Sequence, residues 1–213
     1  GIFKKLRIPY KPEYPPREFL SRNTVSVCIR TPEAVYDYKK LKAFARRKIK
    51  LNKNIKLEFG HEVTNVELRN DGKKVLIFKD KNREFKKEFD YVVNATYAGY
   101  NNFCQWLGFP QKRLRFRLKE IILLRLNAQK RRAVTVMDGP FATILPVGKS
   151  KSIYTLGDVP LSVHHSVTDA KSSSADDARW GRHRSRWREM KKRCARWFPV
   201  VKNARYAGSM FVV

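Results

Sequence analysis

Acidic residues are scarce in this chain: 19 Asp and Glu stand against 47 Lys and Arg, a net charge of +28 over 213 residues. That imbalance predicts attraction to polyanions such as nucleic acid or an anionic membrane, and it bears on steering rather than on fold. Cysteine is also scarce. Cys28, Cys104 and Cys194 are odd in number and far apart. This excludes a disulfide framework and zinc-ligand spacing, and it predicts a reducing, cytoplasmic compartment. Pure apolar runs stop at four residues, as in 121–124, far short of a membrane-spanning helix. No secretory signal pattern is visible, and the first residue is Gly rather than Met, so the natural start is expected upstream. No two glycines lie two apart, so no G-x-G-x-x-G turn is present to cradle a dinucleotide pyrophosphate. P-loop, H-E-x-x-H and Ser–His–Asp arrangements are absent as well. His164-His165 does not offer a metal site, because adjacent side chains diverge on a strand and no carboxylate or Cys stands at ligand spacing.

What is present argues for a folded chain. The 13 Phe, 9 Tyr and 4 Trp within a 42% apolar composition exclude simple disorder. Residues 1–23, rich in proline and aromatics, read as loop or edge structure. Residues 24–30 alternate as a strand. Thr31-Pro32-Glu33 has the form of a helix start, with Thr31 as N-cap and Pro32 at the first helical position, and the helix should run to about residue 51. Residues 55–59 alternate as a further strand. Three short strands follow at 61–68, 75–79 and 83–89, with turns at 70–72 and 80–82. A short helix over 99–107 closes at Gly108 and Pro110. Long strands are expected at 114–126, 133–137, 141–146 and 153–158. Residues 162–178 read as a mobile loop. A basic helix capped by Asp176 or Asp177 should then run to Pro199, with Trp180, Trp187, Met190, Cys194 and Trp197 on its apolar face.

The most informative stretch is Phe89-Asp90-Tyr91-Val92-Val93-Asn94-Ala95-Thr96-Tyr97-Ala98-Gly99. A short apolar run led by an acid and ended by small residues reads as a buried strand of a parallel sheet, and ligands gather beyond the carboxyl ends of such strands. The stretch resembles the "D-x-V-V-x-A-T-G" strand of FAD-dependent oxidoreductases of the D-amino-acid oxidase and glycine oxidase type, with Tyr97 in place of the usual glycine. Residues 133–148 and 154–159 resemble the substrate-domain sheet of D-amino-acid-oxidase-like flavoproteins. Phe198-Pro199 and Tyr206-Ala207-Gly208-Ser209 resemble the next family segment. The resemblance covers most of residues 12–213.

It implies an α/β (α+β) fold, with a partial FAD-binding domain and a mixed antiparallel-sheet substrate domain of the D-amino-acid-oxidase-like fold. The expected division is residues 1–30 as a substrate-domain segment, 31–98 as the partial FAD-binding domain, and 99–213 as the substrate-binding domain with its basic helix. The implied cofactor is FAD and the implied reaction is oxidation of a small amine, amino acid or hydroxy acid. The chain looks like the middle of such an enzyme, because the phosphate-binding fingerprint and the C-terminal Gly-rich segment are both lacking. A missing flavin-domain segment in cis or in trans is therefore an expected partner, and the chain alone is expected to hold FAD weakly or not at all.

By resemblance, Glu62 and Val63 present backbone to the adenine, and Asn94, Ala95 and Thr96 lie near the flavin. An ordinary solvent-alternating strand and a plain strand end are the competing readings. A carboxylate substrate would be matched by a bidentate Arg, and Arg125 is the choice, with Tyr97 and Tyr154 lining the same pocket. An outward-facing Arg125 and core tyrosines are the alternatives. The rival to an enzyme is a non-catalytic basic scaffold that contacts nucleic acid or another polyanion through Arg179, Arg182, Arg186, Lys191 and Arg193.

Overall fold

A computed structural model describes residues 2–81, 83–128, 130–137, 139, 141–169 and 183–213. In chain order the elements are α1 (Ile2–Lys5), β1 (Lys11–Pro12), β2 (Ile29–Arg30), α2 (Tyr38–Leu51), β3 (Glu62–Leu68), β4 (Lys74–Asp80), β5 (Arg83–Phe89) and α3 (Tyr100–Trp106). They continue with β6 (Leu114–Arg125), β7 (Val134–Val136), β8 (Ala142–Pro146), β9 (Ile153–Asp158), α4 (Val159–Ser162), β10 (Val163–Asp169), α5 (Trp187–Cys194) and β11 (Arg205–Val212). The described residues fall into two compact units. One lies within 1–47, 118–164 and 183–212, the other within 48–117 and 165–182 together with Val213.

The first unit is organised by a six-stranded sheet. The long strand β6 bonds to β9, β10 and β11, and β8 and β7 continue outward from β9. The β6–β9, β8–β9, β7–β8 and β6–β11 pairings are antiparallel. Alternation in β6 turns Phe116, Leu118, Glu120, Ile122 and Leu124 inward. Leu124 faces Tyr154 and Ile122 faces Leu156 across the ladder. Helix α5 covers this face with Met190 and Cys194, and Trp197 and Phe198 follow into the same core. Each such large side chain contributes about 1.5–3 kcal/mol through its burial, which is what holds a strongly basic helix onto the sheet.

The second unit contains the antiparallel meander β3–β4–β5. Its tight turn is set by Gly72 at φ 82°, with Arg69 N donating to Lys73 O at 2.9 Å. Val66, Val75, Ile77 and Phe78 are buried, and Phe78 stacks on Phe85 at 5.3 Å. Exposed pairs such as Lys86–Glu67 cross the outer face and add little stability.

The meander, α3, β6, β7, β8 and β9 form where the sequence pattern predicts them. Other expectations fail for identifiable reasons. Helix α2 begins at Tyr38 rather than after Thr31, because the Asp37 carboxylate accepts from Lys39 N (3.1 Å) and Lys40 N (3.3 Å) and caps the first turn there. Of residues 24–30 only Ile29 and Arg30 pair as a strand, and residues 55–59 form none. Residues 91–95, expected as a buried parallel strand, pair with no described strand, and Tyr91 and Val93 are each 88% exposed. An apolar run is buried only where neighbouring strands and helices cover it, and none of the described elements does so here. Residues 163–169, expected within a mobile loop, form β10 instead. Ser162 closes α4, whereas residues 170–178, the Asp176 or Asp177 cap and Trp180 lie outside the described residues. Helix α5 starts at Trp187, later than expected, because Ser185 and the Arg186 amide are bound to a buried carboxylate.

Candidate functional site

Within the first unit that carboxylate, Glu120, is the most elaborate polar centre. It occupies an inward position of β6 and is fully buried. Its Oε1 accepts from Ser185 Oγ and from Ser209 Oγ, the latter at 2.5 Å. Its Oε2 accepts from Arg186 N at 2.9 Å and meets His164 Nε2 at 2.8 Å. An ionised carboxylate only accepts, so His164 carries its proton on Nε2. With both serine protons committed to Glu120, Tyr206 donates to Ser209 Oγ at 2.8 Å. The His164 ring lies edge-on to His183 (5.4 Å) and to Phe211 (5.2 Å), and the His183 Nε2 is buried without a partner among the described residues.

Burial acts to raise the Glu120 pKa, but the bonds from Ser185, Ser209, the Arg186 amide and His164 outweigh it and hold the carboxyl below its usual range. All four lone-pair directions are filled and the side chain is fully buried, so Glu120 presents no free oxygen to a substrate. The centre fastens β6, β10, β11 and the lead into α5 to one another; it is not a general base.

A second buried carboxylate, Asp158, caps α4 through Leu161 N (3.2 Å) and pairs with Arg193 Nε (3.1 Å). Burial, and then this neighbouring charge, push the Cys194 thiol up to about 12. That excludes Cys194 as a nucleophile at neutral pH. Sequence reasoning missed both carboxylates. The available signal for Glu120 was an acid in step with the alternating series Phe116, Leu118, Ile122, Leu124.

The residues expected to face a flavin lie in the second unit. Glu62 is exposed opposite Lys79 at the start of β3, and Val63 is half-buried opposite Phe78 beside a register shift. Asn94 Oδ1 accepts from Thr96 N (3.1 Å) and Thr96 Oγ1 (2.6 Å), forming a compact turn that leaves Ala95 and Thr96 exposed. Tyr97 follows in the left-handed region at φ 55°, with its side chain 86% exposed. A glycine is free of strain at that φ, whereas a tyrosine is not. A dinucleotide's pyrophosphate finds no cradle, since no helix among the described residues opens on spaced glycines.

The structure does not bring the expected substrate residues together in the first unit. Arg125 is exposed, donates to Ser152 Oγ at 3.3 Å and stands opposite Ile153. Tyr154, one residue on, points to the other face and is fully buried in the core beside Phe19. Its hydroxyl has no partner among the described residues. Arg186, Lys191 and Arg193 are likewise engaged internally: Arg186 with the Leu161 and Val163 carbonyls, Lys191 with Ala204 O at 2.7 Å, and Arg193 with Asp158. Arg179 and Arg182 lie outside the described residues.

Comparison with known proteins places this architecture in a fold class. No protein-family model matches the chain, and no curated protein does. Among solved structures, the flavin-dependent halogenase CmlS superposes over 100% of this chain at a TM-score of 0.53 and 15% sequence identity. An aromatic hydroxylase from angucycline biosynthesis, CabE, also matches over 100% of the chain, at 13% identity and a TM-score of 0.46 that identifies no shared fold. The fold is thus a mixed α/β arrangement with antiparallel sheets of the kind found in the halogenase. The chain spans 39% of the halogenase's own length. Among the described residues no helix is long and apolar enough to cross a membrane.

Proposed function

We propose that this chain is part of a flavin-dependent oxidoreductase and that a further segment, in cis or in trans, completes its FAD site. The observation that carries this reading is the superposition of the whole chain on a flavin-dependent halogenase. The left-handed backbone at Tyr97 supports it, because that conformation is the one a glycine would supply at the end of a flavin-facing strand. In this reading Asn94, Ala95 and Thr96 border the flavin, and Glu62 and Val63 present backbone to the adenine. The completing segment supplies the pyrophosphate cradle. FAD brings the redox chemistry, and the protein binds and orients a small-molecule substrate. The substrate is a small amine, amino acid or hydroxy acid, with Arg125 as the exposed cation that would meet its carboxylate. Tyr154 is core and takes no part.

The test is the visible spectrum of the protein isolated from its native source. Absorption bands at about 450 nm, as for a bound oxidised flavin, are the expected result. A colourless full-length protein that takes up no added FAD overturns the reading. The second reading, a non-catalytic basic scaffold, is favoured by the net charge of +28. It predicts retention on a polyanion column with steep salt dependence, and elution at low salt would sink it.

A further inference from the structure

Within the first unit, helix α5 turns Met190 and Cys194 into the core. Its neighbouring face carries Trp187, Lys191 and Ala195 at four-residue spacing, with Arg188 and Lys192 alongside. Lys202, from the short helical segment Pro199–Asn203, completes a shallow groove with these five residues. Four of the six lining residues are cations and none is an acid. Between residues 187 and 206 seven Lys and Arg stand against one acid, Glu189, which does not line the groove. Lys191 donates to Ala204 O at 2.7 Å, whereas Arg188, Lys192 and Lys202 are exposed and form no ion pair among the described residues.

An aromatic stack borders these cations and is held in place. Trp187 stacks on Tyr206 with ring centroids 4.8 Å apart and planes at 15°, and the Arg188 guanidinium lies 4.7 Å from the indole centroid. Trp187 N donates to Ser185 Oγ at 3.2 Å, and Tyr206 donates to Ser209 Oγ at 2.8 Å. Both serines donate to Glu120, so the buried carboxylate fixes both members of the stack. Tyr206 is still 39% exposed.

The occupant must answer the cations and the aromatics together. An acidic peptide answers the charge alone. A bilayer surface requires a free apolar arc, and that of α5 is already in the core. A duplex keeps its bases stacked on one another, out of reach of a protein ring. A single strand presents phosphates and free base faces at once, the combination that cation-lined aromatic grooves bind.

We propose that this groove binds single-stranded nucleic acid, with Arg188, Lys192 and Lys202 on its phosphates and the Trp187–Tyr206 stack beside them meeting a base. The proposal rests on the polyanion-binding reading, to which it assigns a site and a ligand class.

The test is fluorescence anisotropy of a labelled oligothymidylate and of a duplex of equal length, titrated with the purified chain over a range of salt. Tighter binding of the single strand is expected. Arg188→Gln with Lys192→Gln and Lys202→Gln should weaken it at least roughly tenfold and lower the salt slope by about 2, at about 0.7 per phosphate contact. Lys39→Gln with Lys42→Gln and Arg46→Gln removes the same charge from exposed positions of α2 and should weaken it less than roughly threefold. Tyr206→Leu keeps every charge and should cost about tenfold through lost stacking, with retention on heparin unchanged. Far-UV circular dichroism checks the fold of each variant. A parent chain that binds neither heparin nor either oligonucleotide overturns the polyanion reading and the proposal with it. Heparin binding accompanied by equal losses in the two triple variants, by an unchanged Tyr206→Leu or by no preference for the single strand overturns the proposal alone.

Discussion

His164 Nε2 donates to Glu120 Oε2 at 2.8 Å, and the two side chains are 2% and 0% exposed. The pair lies at the centre of a network in which one carboxylate satisfies four donors from three separate stretches of chain. Removing the carboxylate strands all four. Glu120→Ala should therefore lower the unfolding free energy by about 3 kcal/mol, the usual cost of breaking a buried pair from one side. Urea denaturation checks this, and a loss below 1 kcal/mol would show that water reaches the network.

The same residue sets an acid dependence. Its folded pKa is held below the unfolded carboxyl value of about 4.3, so its contribution is complete above that pH. It is lost as pH falls through the depressed folded value. Stability measured between pH 6 and pH 3 should therefore fall more steeply in the parent than in Glu120→Gln, which has no proton to gain. Equal slopes for the two proteins would refute the assignment.

Tyr97 holds a left-handed backbone while its side chain is largely in solvent, so the residue is strained without a packing return. Tyr97→Gly should raise stability by about 1 kcal/mol, the relief of strain exceeding the added freedom of the unfolded chain. A destabilised variant would mean that the ring makes a contact of its own.

The Tyr154 hydroxyl is buried without a partner among the described residues. Tyr154→Phe should be neutral or stabilising by about 1 kcal/mol, since no hydrogen bond is lost and a desolvated hydroxyl is removed. A clear loss of stability would place an ordered water or a ligand at that oxygen.

Cys194, with its thiol pushed up to about 12, should resist alkylation in the folded protein at pH 8 and react once urea unfolds it. Mass spectrometry of labelled peptides reads both states. Rapid modification of folded protein would show that α5 opens readily.

The locally encoded parts of the fold were legible. Alternation marked β6, β8 and β9, paired turns marked the meander, and the spacing of Trp187, Met190, Cys194 and Trp197 marked the face of α5 that meets the core. Tyr97, which stands where the resembled motif has a glycine, adopts a left-handed φ of 55°, a conformation that nothing local in the sequence announced. The separation of Arg125 from Tyr154 was not legible either. Arg125 and Tyr154 are neighbours across the β6–β9 ladder, but the two-residue period of a strand sends them to opposite faces.

By itself the sequence determined the large positive charge, the strand alternations and the amphipathic division of α2, because each depends only on residues close along the chain. The tertiary structure alone decided that Glu120 is a saturated structural centre, that residues 163–169 form a strand, and that Arg186, Lys191 and Arg193 are held internally. The Glu120 partners lie 44 to 89 positions away in sequence, and no local period records a contact over that separation. It also decided that residues 91–95 remain uncovered. An apolar run specifies a tendency to be buried, and burial is realised only where other elements supply the surface that excludes water.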